Sequence, residues 1–363
     1  MTATRQWPGD GQPIVPESAD ELAGWVKLAG DQSVSLGGTR ADYPVDFSRL
    51  TSTSEWNPGD MVITAGVGLT LGEVKTAVAA KGLWLPLDST AGTMTPLADY
   101  LGGDQSMSWL SYRHGTARDW VMGMSAVDDT GTQITWGAKV VKNVAGYQLG
   151  PLYIGSRHTL GLMVEVTMRL IPMPTDLNQV RIMASSPGPL VTLWRNTVKL
   201  QQEGFVADPW EAIRIARQGS QWQLDGLTYA PPGEIESWIG PAGQVEQLEV
   251  TPCNRAPDEP ATGRLPVRIG RFLPGLLGTD IALDNWGEEE LIIYPAIGAA
   301  LFFDDGQSAL ADLIEAAGGW VVKPGDSLPG SPFPGDDTAR YMRKVKSMLD
   351  PHSVFGPAWE VQP

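Results

Sequence analysis

Cysteine is almost absent from this 363-residue chain: Cys253 stands alone. One thiol cannot build an intrachain disulfide, a cysteine zinc site or an iron–sulfur cluster. Histidine is nearly as scarce, and His114, His158 and His352 share no metal-ligand spacing. Positive charge is short too. Lys+Arg number 26 against 42 Asp+Glu, a net charge of −16, which argues against nucleic-acid binding and adsorption to anionic lipid, since both need a basic footprint. Long apolar runs are missing: the longest, Leu291 to Phe303, is interrupted by Pro295 and too short to span a bilayer. The first residues, MTATRQWPGDGQP, contain no apolar stretch of the secretory kind. The expectation is a cytoplasmic protein with no direct membrane insertion. No G-x-S-x-G is present, and the histidines have no suggestive Ser or Cys companion, so nucleophilic hydrolysis is disfavoured.

What the chain does have is size, glycine and tryptophan. Its length favours two domains, and 42% apolar residues with 14 Trp suffice for substantial cores. Ser18 to Glu21 is a capping-box pattern that predicts a helix ending at Gly30. Strands are predicted over Ser33–Leu36, Met61–Ala65 and Leu83–Leu87, with a capped helix from Thr70-x-x-Glu73 to Lys81-Gly82. Val121–Val127 and Thr132–Trp136 flank Asp128-Asp129-Thr130-Gly131 as a hairpin. From Leu162 to Leu170 apolar residues alternate cleanly, which predicts a strand with Met163, Glu165, Thr167 and Arg169 on the second face. Pro172-Met173-Pro174 marks a boundary. Beyond it, strands near 180–184, 211–216, 222–229, 265–269, 291–294 and 299–303, with helices over 190–202 and 308–317, suggest a sheet with helices on one face. A last helix spans 337–348 before LDPHSVFGP.

Gly66-Val67-Gly68-Leu69-Thr70-Leu71-Gly72 sits between a strand and a helix like a dinucleotide fingerprint. The last two glycines are a residue too far apart, however, and no acidic residue closes a second strand. A packed strand–helix corner is the better reading. Gly37-Gly38-Thr39-Arg40 follows a short extended segment and suits an anion cradle of backbone N–H groups. Thr93 lies in a Gly92 loop, Arg113 to Asp119 reads RHGTARD, and Lys139 to Pro172 places Gly146, Gly155 and a Thr-Leu-Gly turn ahead of a buried strand. Four glycine- or hydroxyl-rich loops at strand ends, in this order, point to a long ligand with a pyrophosphate.

These segments resemble the flavoprotein family whose FAD domain, of the PCMH type, is shared by vanillyl-alcohol oxidase and by D-lactate and glycolate dehydrogenases. The resemblance covers about residues 14–173 and the closing LDPHSVFGP. SVSLGGTR (33–40) is similar to the first pyrophosphate loop, VITAGVGLTLGE (62–73) to the strand-turn-helix, and RDWVMGMSAVDDTG (118–131) to an R-D-x-V-L-G run with its hairpin. KNVAGYQLGPLYIGSRHTLGLMVEVTMRLIPMP (142–174) is similar to K-N-V-x-G-Y-D-L…G-S-x-G-T-L-G. The K-N-V-A-G-Y form in a chain of this length most resembles the FAD-binding E-subunit type of glycolate oxidase (glycolate dehydrogenase).

The resemblance implies an α+β fold: a PCMH-type FAD-binding domain over residues 1–173, a small ferredoxin-like α+β cap over 174–335, and a C-terminal helix and tail, 336–363, returning to the first domain. It implies non-covalent FAD, because Thr39 occupies a place where some relatives have a flavin-linking histidine. The cofactor residues it implies are Gly37, Gly38, Thr39, Arg40, Thr93, Asp119, Asn143, Gly146, Tyr147, Gly155, Ser156, Thr159, Gly161 and Leu162. No catalytic residue is identified; Arg113, Arg118 and Arg169 are candidates to meet a substrate carboxylate. The implied function is the flavin subunit of a glycolate (2-hydroxy-acid) dehydrogenase complex, with a second flavoprotein subunit and an iron–sulfur subunit as partners, peripheral at the inner membrane through that complex. A structural or assembly subunit with a partly lost flavin site is the alternative, as is a stand-alone D-lactate-type dehydrogenase. The first alternative rests on departures from the pattern: Thr95-Pro96 stands where a Gly-Gly pair is usual, His158 where Gly is usual, Gln148 for Asp and Gly356 for Asn.

Overall fold

The computed structural model describes residues 7–9, 12–37, 41–52, 55–103, 108–137, 149–202, 210–239, 245–253, 256–260, 262, 268–271, 277, 290–295, 298–303, 309–317, 319–322 and 336–356. Helix α1 (Ala19–Gln32) begins where Ser18 Oγ accepts from Glu21 N at 3.2 Å. The Glu21 carboxylate turns to Glu17 N. The helix runs past Gly30 and stops at Ser33, whose φ of 54° is left-handed. The strand expected over Ser33–Leu36 does not form. Asp42 takes the Ser35 N–H and hydroxyl, and Leu36 makes single bridges to Tyr43 and Phe355.

The first sheet draws on β1 (Glu55–Asn57) and β2 (Val62–Gly66). They are followed by α2 (Leu71–Ala79), β3 (Leu83–Trp84), and the short helices α3 (Leu97–Gly102), α4 (Ser111–His114) and α5 (Ala117–Trp120). Then come β4 (Val121–Val127), β5 (Gln133–Gly137), α6 (Gly150–Tyr153), β6 (Leu162–Arg169) and β7 (Ile171–Pro172). Five strands pair antiparallel in the order β1-β2-β6-β4-β5, and β3 pairs β7 separately. As the middle strand, β6 is covered on both sides, so Met163 and Thr167 are buried despite their place on the second face. Thr70 and Glu73 close a complete capping box on α2. A Cβ on Gly66 or Gly68 would collide with the carbonyls of Leu50 and Phe47 respectively. Those glycines let a strand–helix corner pack on the 47–52 loop, which explains the near-fingerprint.

The second sheet is larger than the sequence suggests. β8 (Leu177–Ala184), α7 (Pro187–Gln202), β9 (Ala212–Gln218), β10 (Gln221–Thr228), α8 (Pro232–Ile239) and β11 (Gln247–Cys253) form a βαββαβ unit in the order β11-β8-β10-β9. β12 (Arg268–Arg271), β13 (Leu291–Tyr294), β14 (Ala299–Phe302), α9 (Ala309–Ala316) and β15 (Trp320–Val322) repeat that strand order in mirror sense, β13-β14-β12-β15. β9 and β13 join the two units into one eight-stranded antiparallel sheet. The ferredoxin-like pattern therefore occurs twice over, although no sequence repeat announces it. Leu190, Ile235, Trp238, Leu310 and Ile314 from α7, α8 and α9 cover one face. Trp84, Trp109 and Leu110 from the first half cover the other, over Leu177, Ala212, Ile292, Tyr294 and Leu301.

Helix α10 (Asp336–Leu349) brings the tail back to the first core. Leu36 N donates to Val354 O (2.7 Å) and Gly356 N to Leu36 O (3.0 Å), placing the tail beside Gly37.

Candidate functional site

The Gly155–Gly161 turn docks on the C-terminal end of α3. Gly155 N donates to Leu101 O and Arg157 N to Gly102 O, both at 2.7 Å. Within the turn, Thr159 donates twice to Ser156 O, from N (3.1 Å) and from Oγ1 (2.6 Å). Gly155, Arg157 and His158 all have left-handed φ, 80°, 53° and 60°. His158 thus adopts the backbone conformation that suits the glycine it replaces. Gly37 (φ 105°) packs directly on it: a Cβ there would lie 3.2 Å from His158 O and 3.5 Å from Leu162 Cδ2. Gly161 (φ 152°) leaves room for the Tyr153 ring, which a Cβ would meet at 2.7 Å. Lys346, from the far end of the chain, fixes the turn. Its ammonium donates to Thr159 O (2.6 Å), Phe355 O (3.1 Å) and Gly356 O (3.3 Å), and pairs with Asp350. Burial lowers the Lys346 pKa, against the pull of Asp350.

Among the described residues, three buried polar atoms on this turn have no hydrogen-bond partner: Ser156 Oγ and both ring nitrogens of His158. The imidazole lies 4.6 Å from the Phe47 ring and occupies space that Gly102 leaves open, since a Cβ there would come within 2.6 Å of Nε2. Burial pushes His158 down to about 4, and the nearby Ala98 carbonyl favours a ring proton without meeting it in hydrogen-bonding geometry. The ring is neutral at pH 7, with one N–H and one lone pair to offer. Tyr100 OH, on α3, is buried and without a partner among the described residues as well.

The other expected residues are placed differently. Thr93 lies at the opposite end of α3, its carbonyl accepting from Gly72 N at 2.7 Å. It lines an open cleft of about 560 Å³ with Lys75, Trp84, Met94, Met173 and Asp258. Asp119 caps α5, its Oδ2 accepting from Thr116 N (2.8 Å) and Thr116 Oγ1 (3.3 Å). Gly38, Thr39, Arg40, Asn143, Gly146 and Tyr147 lie outside the described residues, as does Gln148. Thr95 Oγ1 turns inward to Gly92 O (2.8 Å), and Pro96 starts α3. The three arginines do not converge. Arg118 donates to Ile154 O (2.8 Å), Arg169 lies over Trp120, and Arg113 approaches Glu211 at 3.7 Å.

A polar cluster that the sequence did not announce lies where the two sheets meet. Asp88 Oδ2 accepts from Trp109 Nε1 (2.8 Å) and Glu259 N (3.0 Å), while Oδ1 pairs with Lys75. Glu259 accepts from Trp109 N (3.0 Å), Tyr294 OH (2.7 Å) and Arg214 Nη1 (3.3 Å). Arg214 grips Asp225 through Nε (3.1 Å) and Nη2 (3.0 Å), and Arg181 Nε reaches the same carboxylate at 2.9 Å. Burial lifts Glu259 to about 7, although Arg214 pulls the other way. Burial works against the Lys75 charge, yet Asp88 and Asp258 leave its pKa raised. No spacing rule links Asp88, Arg214 and Glu259; the fold alone brings them together.

Comparison with known proteins places this arrangement. Residues 14–137 match a family model described as an FAD binding domain. A D-2-hydroxyglutarate dehydrogenase of Xanthomonas citri is 31% identical over 193 residues, 48% of this chain and 40% of that protein. Glycolate oxidase subunit GlcE of Escherichia coli is 34% identical over 126 residues, 33% of this chain and 34% of that protein. A D-lactate dehydrogenase of Archaeoglobus fulgidus is 29% identical over 184 residues, 47% of this chain and 40% of that protein. The chain spans about two fifths of the length of the curated relatives it matches, 39% and 40% for the two D-2-hydroxyglutarate dehydrogenases. Among solved structures, Physcomitrella patens BBE-like 1 superimposes with a TM-score of 0.67 at 13% identity, over 96% of this chain and 90% of that one. An alkyldihydroxyacetonephosphate synthase gives 0.64 at 14% identity, over 95% and 76%. The fold is the mixed α+β fold of PCMH-type FAD-binding oxidoreductases, and the first third of the chain matches their FAD binding domain.

The described residues fit such a group. Gly37 packs on the 155–161 turn, which buries side-chain atoms that no described residue partners. Native interiors rarely tolerate this, since each unmade buried hydrogen bond costs about 1–3 kcal/mol. Among the described residues no group of three or more His, Cys, Asp and Glu could hold a metal, and no helix is long and apolar enough to cross a membrane.

Proposed function

We propose that the chain binds FAD without a covalent link and serves in an FAD-dependent oxidoreductase acting on 2-hydroxy acids, as the flavin subunit of a glycolate dehydrogenase type of complex. In this reading residues 1–173 form the FAD domain, 174–335 the cap, and 336–363 the returning tail. The observation that carries it is the packing of Gly37 on His158 and Leu162, from segments more than 110 residues apart in sequence, against a turn whose Ser156 Oγ and His158 ring nitrogens are buried without a hydrogen-bond partner among the described residues. Gly37 holds the backbone open for the pyrophosphate, Ser156 offers a hydroxyl, and Lys346 holds the turn in place through Thr159 O. Bound flavin supplies hydride acceptance from the substrate α-carbon. With a single cysteine, this chain has no iron–sulfur cluster of its own through which electrons could leave. This supports partners: a second flavoprotein subunit and an iron–sulfur subunit, in line with the likeness to glycolate oxidase subunits GlcE and GlcD.

The absorbance spectrum of the purified chain tests the cofactor. Flavin bands near one per chain are expected; a folded, colourless protein that takes up no added FAD sinks the reading. Such a result would favour a structural or assembly subunit, the reading to which His158 and Thr95-Pro96 lend support. Glycolate- or D-lactate-dependent dye reduction by the isolated chain would favour a stand-alone dehydrogenase instead. The complex reading expects that activity to need the partner subunits.

A further inference from the structure

The geometry points to a second ligand site: the open cleft beside α2 takes a small organic cation, a protonated amine or amidinium on an apolar body. This goes beyond the FAD reading and does not rest on it. The cleft holds about 560 Å³, and no residue of the 155–161 turn lines it. That volume is ordinary for a small-molecule site, and such sites favour the meeting of two units. Here α2, Trp84 and the Thr93–Met94 loop form one wall, while Ala256 and Asp258, from the segment after β11, form the other. The body of the cleft is apolar, with Ala79, Trp84, Met173 and Ala256 along it. Met94, 79% exposed, is left for a ligand to cover, and a thioether adapts to ligands of irregular shape.

The polar lining sets the charge. Lys75 is the one cation among the lining residues, and its ammonium has three protons to donate. All three are spent, on Leu87 O (3.1 Å), Asp88 and Asp258. The N-terminus of α2 could otherwise cradle an anion, but its donors are engaged too. Leu71 N donates to Thr95 O (2.9 Å), Gly72 N to Thr93 O (2.7 Å) and Glu73 N to Thr70 Oγ1 (3.2 Å). Acceptors, by contrast, are left over. The Asp258 side chain is still 40% exposed after pairing with Lys75. Glu73 is exposed and turns one oxygen, Oε2, to Thr70. Asp88 already balances Lys75, so Asp258 and Glu73 leave the cleft negative. The chain's net charge of −16 adds to that sign. A 2-hydroxy acid or a pyrophosphate would be repelled here; a cation on an apolar body matches both the charge and the walls.

The test is calorimetry on the full-length chain with three probes that share an indole ring and differ in charge: tryptamine (cation), tryptophol (neutral) and indole-3-acetate (anion). Tryptamine is expected to bind most tightly and indole-3-acetate least, with the preference shrinking at high salt. Asp258→Asn, a change at a half-exposed side chain, should weaken tryptamine about fivefold and leave tryptophol unchanged; circular dichroism checks its fold. Met94→Ser should weaken tryptamine and tryptophol by similar factors. No tryptamine binding at millimolar concentration overturns the site, as does indole-3-acetate binding equally well or better. A folded Asp258→Asn that binds tryptamine as wild type does overturns the charge argument and the proposal with it. Displacement of tryptamine by added FAD would assign the cleft to the cofactor and overturn a separate site. A chain that takes up no FAD yet shows the expected charge order fails the FAD reading and upholds this one.

Discussion

The 155–161 turn and the junction of the two sheets both bury polar side chains, but they treat them oppositely. At the junction, Asp88, Glu259, Arg214, Asp225 and Tyr294 each have named partners at 2.7–3.3 Å or an ion pair. On the turn, the Ser156 hydroxyl and the His158 ring have none among the described residues. Perturbed ionisation does not tell the two apart, since Glu259 and Asp88 carry raised pKa values within a network that is already satisfied and His158 carries a lowered one. Hydrogen-bond completeness separates them more sharply. Tyr100 sits between the two, on α3 with an unpartnered hydroxyl in the field of Asp88 and Glu259.

This contrast can be broken from either side. The largest effect is expected at the junction. Asp225→Ala strips buried Arg214 of one of its two counter-charges, leaving Glu259 at 3.3 Å, and should cost about 3–5 kcal/mol in urea unfolding, while FAD affinity of the folded protein stays unchanged. An equal loss of affinity would show that the junction belongs to the site. Lys346→Met removes three hydrogen bonds to carbonyls along with its ion pair and should cost ~2 kcal/mol. It should also weaken FAD binding, because Thr159 O loses its anchor.

Two titrations of opposite sign come next. Glu259 has a folded pKa of about 7 against 4.5 unfolded. Its folded form therefore holds the extra proton, and its contribution is present below 4.5 and lost as pH rises to about 7. His158 falls to about 4 from 6.5, so its contribution is present above 6.5 and lost as pH falls to about 4. The two slopes oppose each other across the overlap. Relative to wild type, Glu259→Gln should make stability rise more steeply with pH there, and His158→Phe should make it fall; thermal melts from pH 4 to 7 decide. The smallest effects belong to Ser156→Ala and Tyr100→Phe. Neither removes a hydrogen bond within the protein, so apo stability should hold or rise slightly. Ser156→Ala alone should weaken FAD binding, by about threefold to tenfold.

Much of the first half was legible in the chain. Local signals worked where local physics decides: the Thr70–Glu73 box, the Asp128–Gly131 hairpin and the strand from Leu162 are all present. The Ser33–Leu36 strand failed because Asp42 competes for its backbone, a contact seven residues away that periodicity does not reveal. The doubled ferredoxin-like sheet was hidden for another reason. Its two units share topology through packing and not residues, and β11 contains Pro252, which reads against a strand. At the proposed site, motif order pointed to Gly37, Gly155, Ser156, Thr159, Gly161 and Leu162, which the fold brings to one turn and its neighbour. Lys346 escaped it, being one cation among several on α10, and so did the junction cluster, whose members are scattered from Lys75 to Tyr294.

Lys346 also sets an order of events during synthesis. Thr159 leaves the ribosome 187 residues before the ammonium that will hold its carbonyl. The entire eight-stranded sheet must emerge in between. The nascent first half can therefore collapse around its own core while its turn is still unbraced, and the last strap arrives only with α10. Closing so long a loop is slow relative to local folding. A chain that stalls before α10 would thus carry a formed first sheet and an unfinished turn.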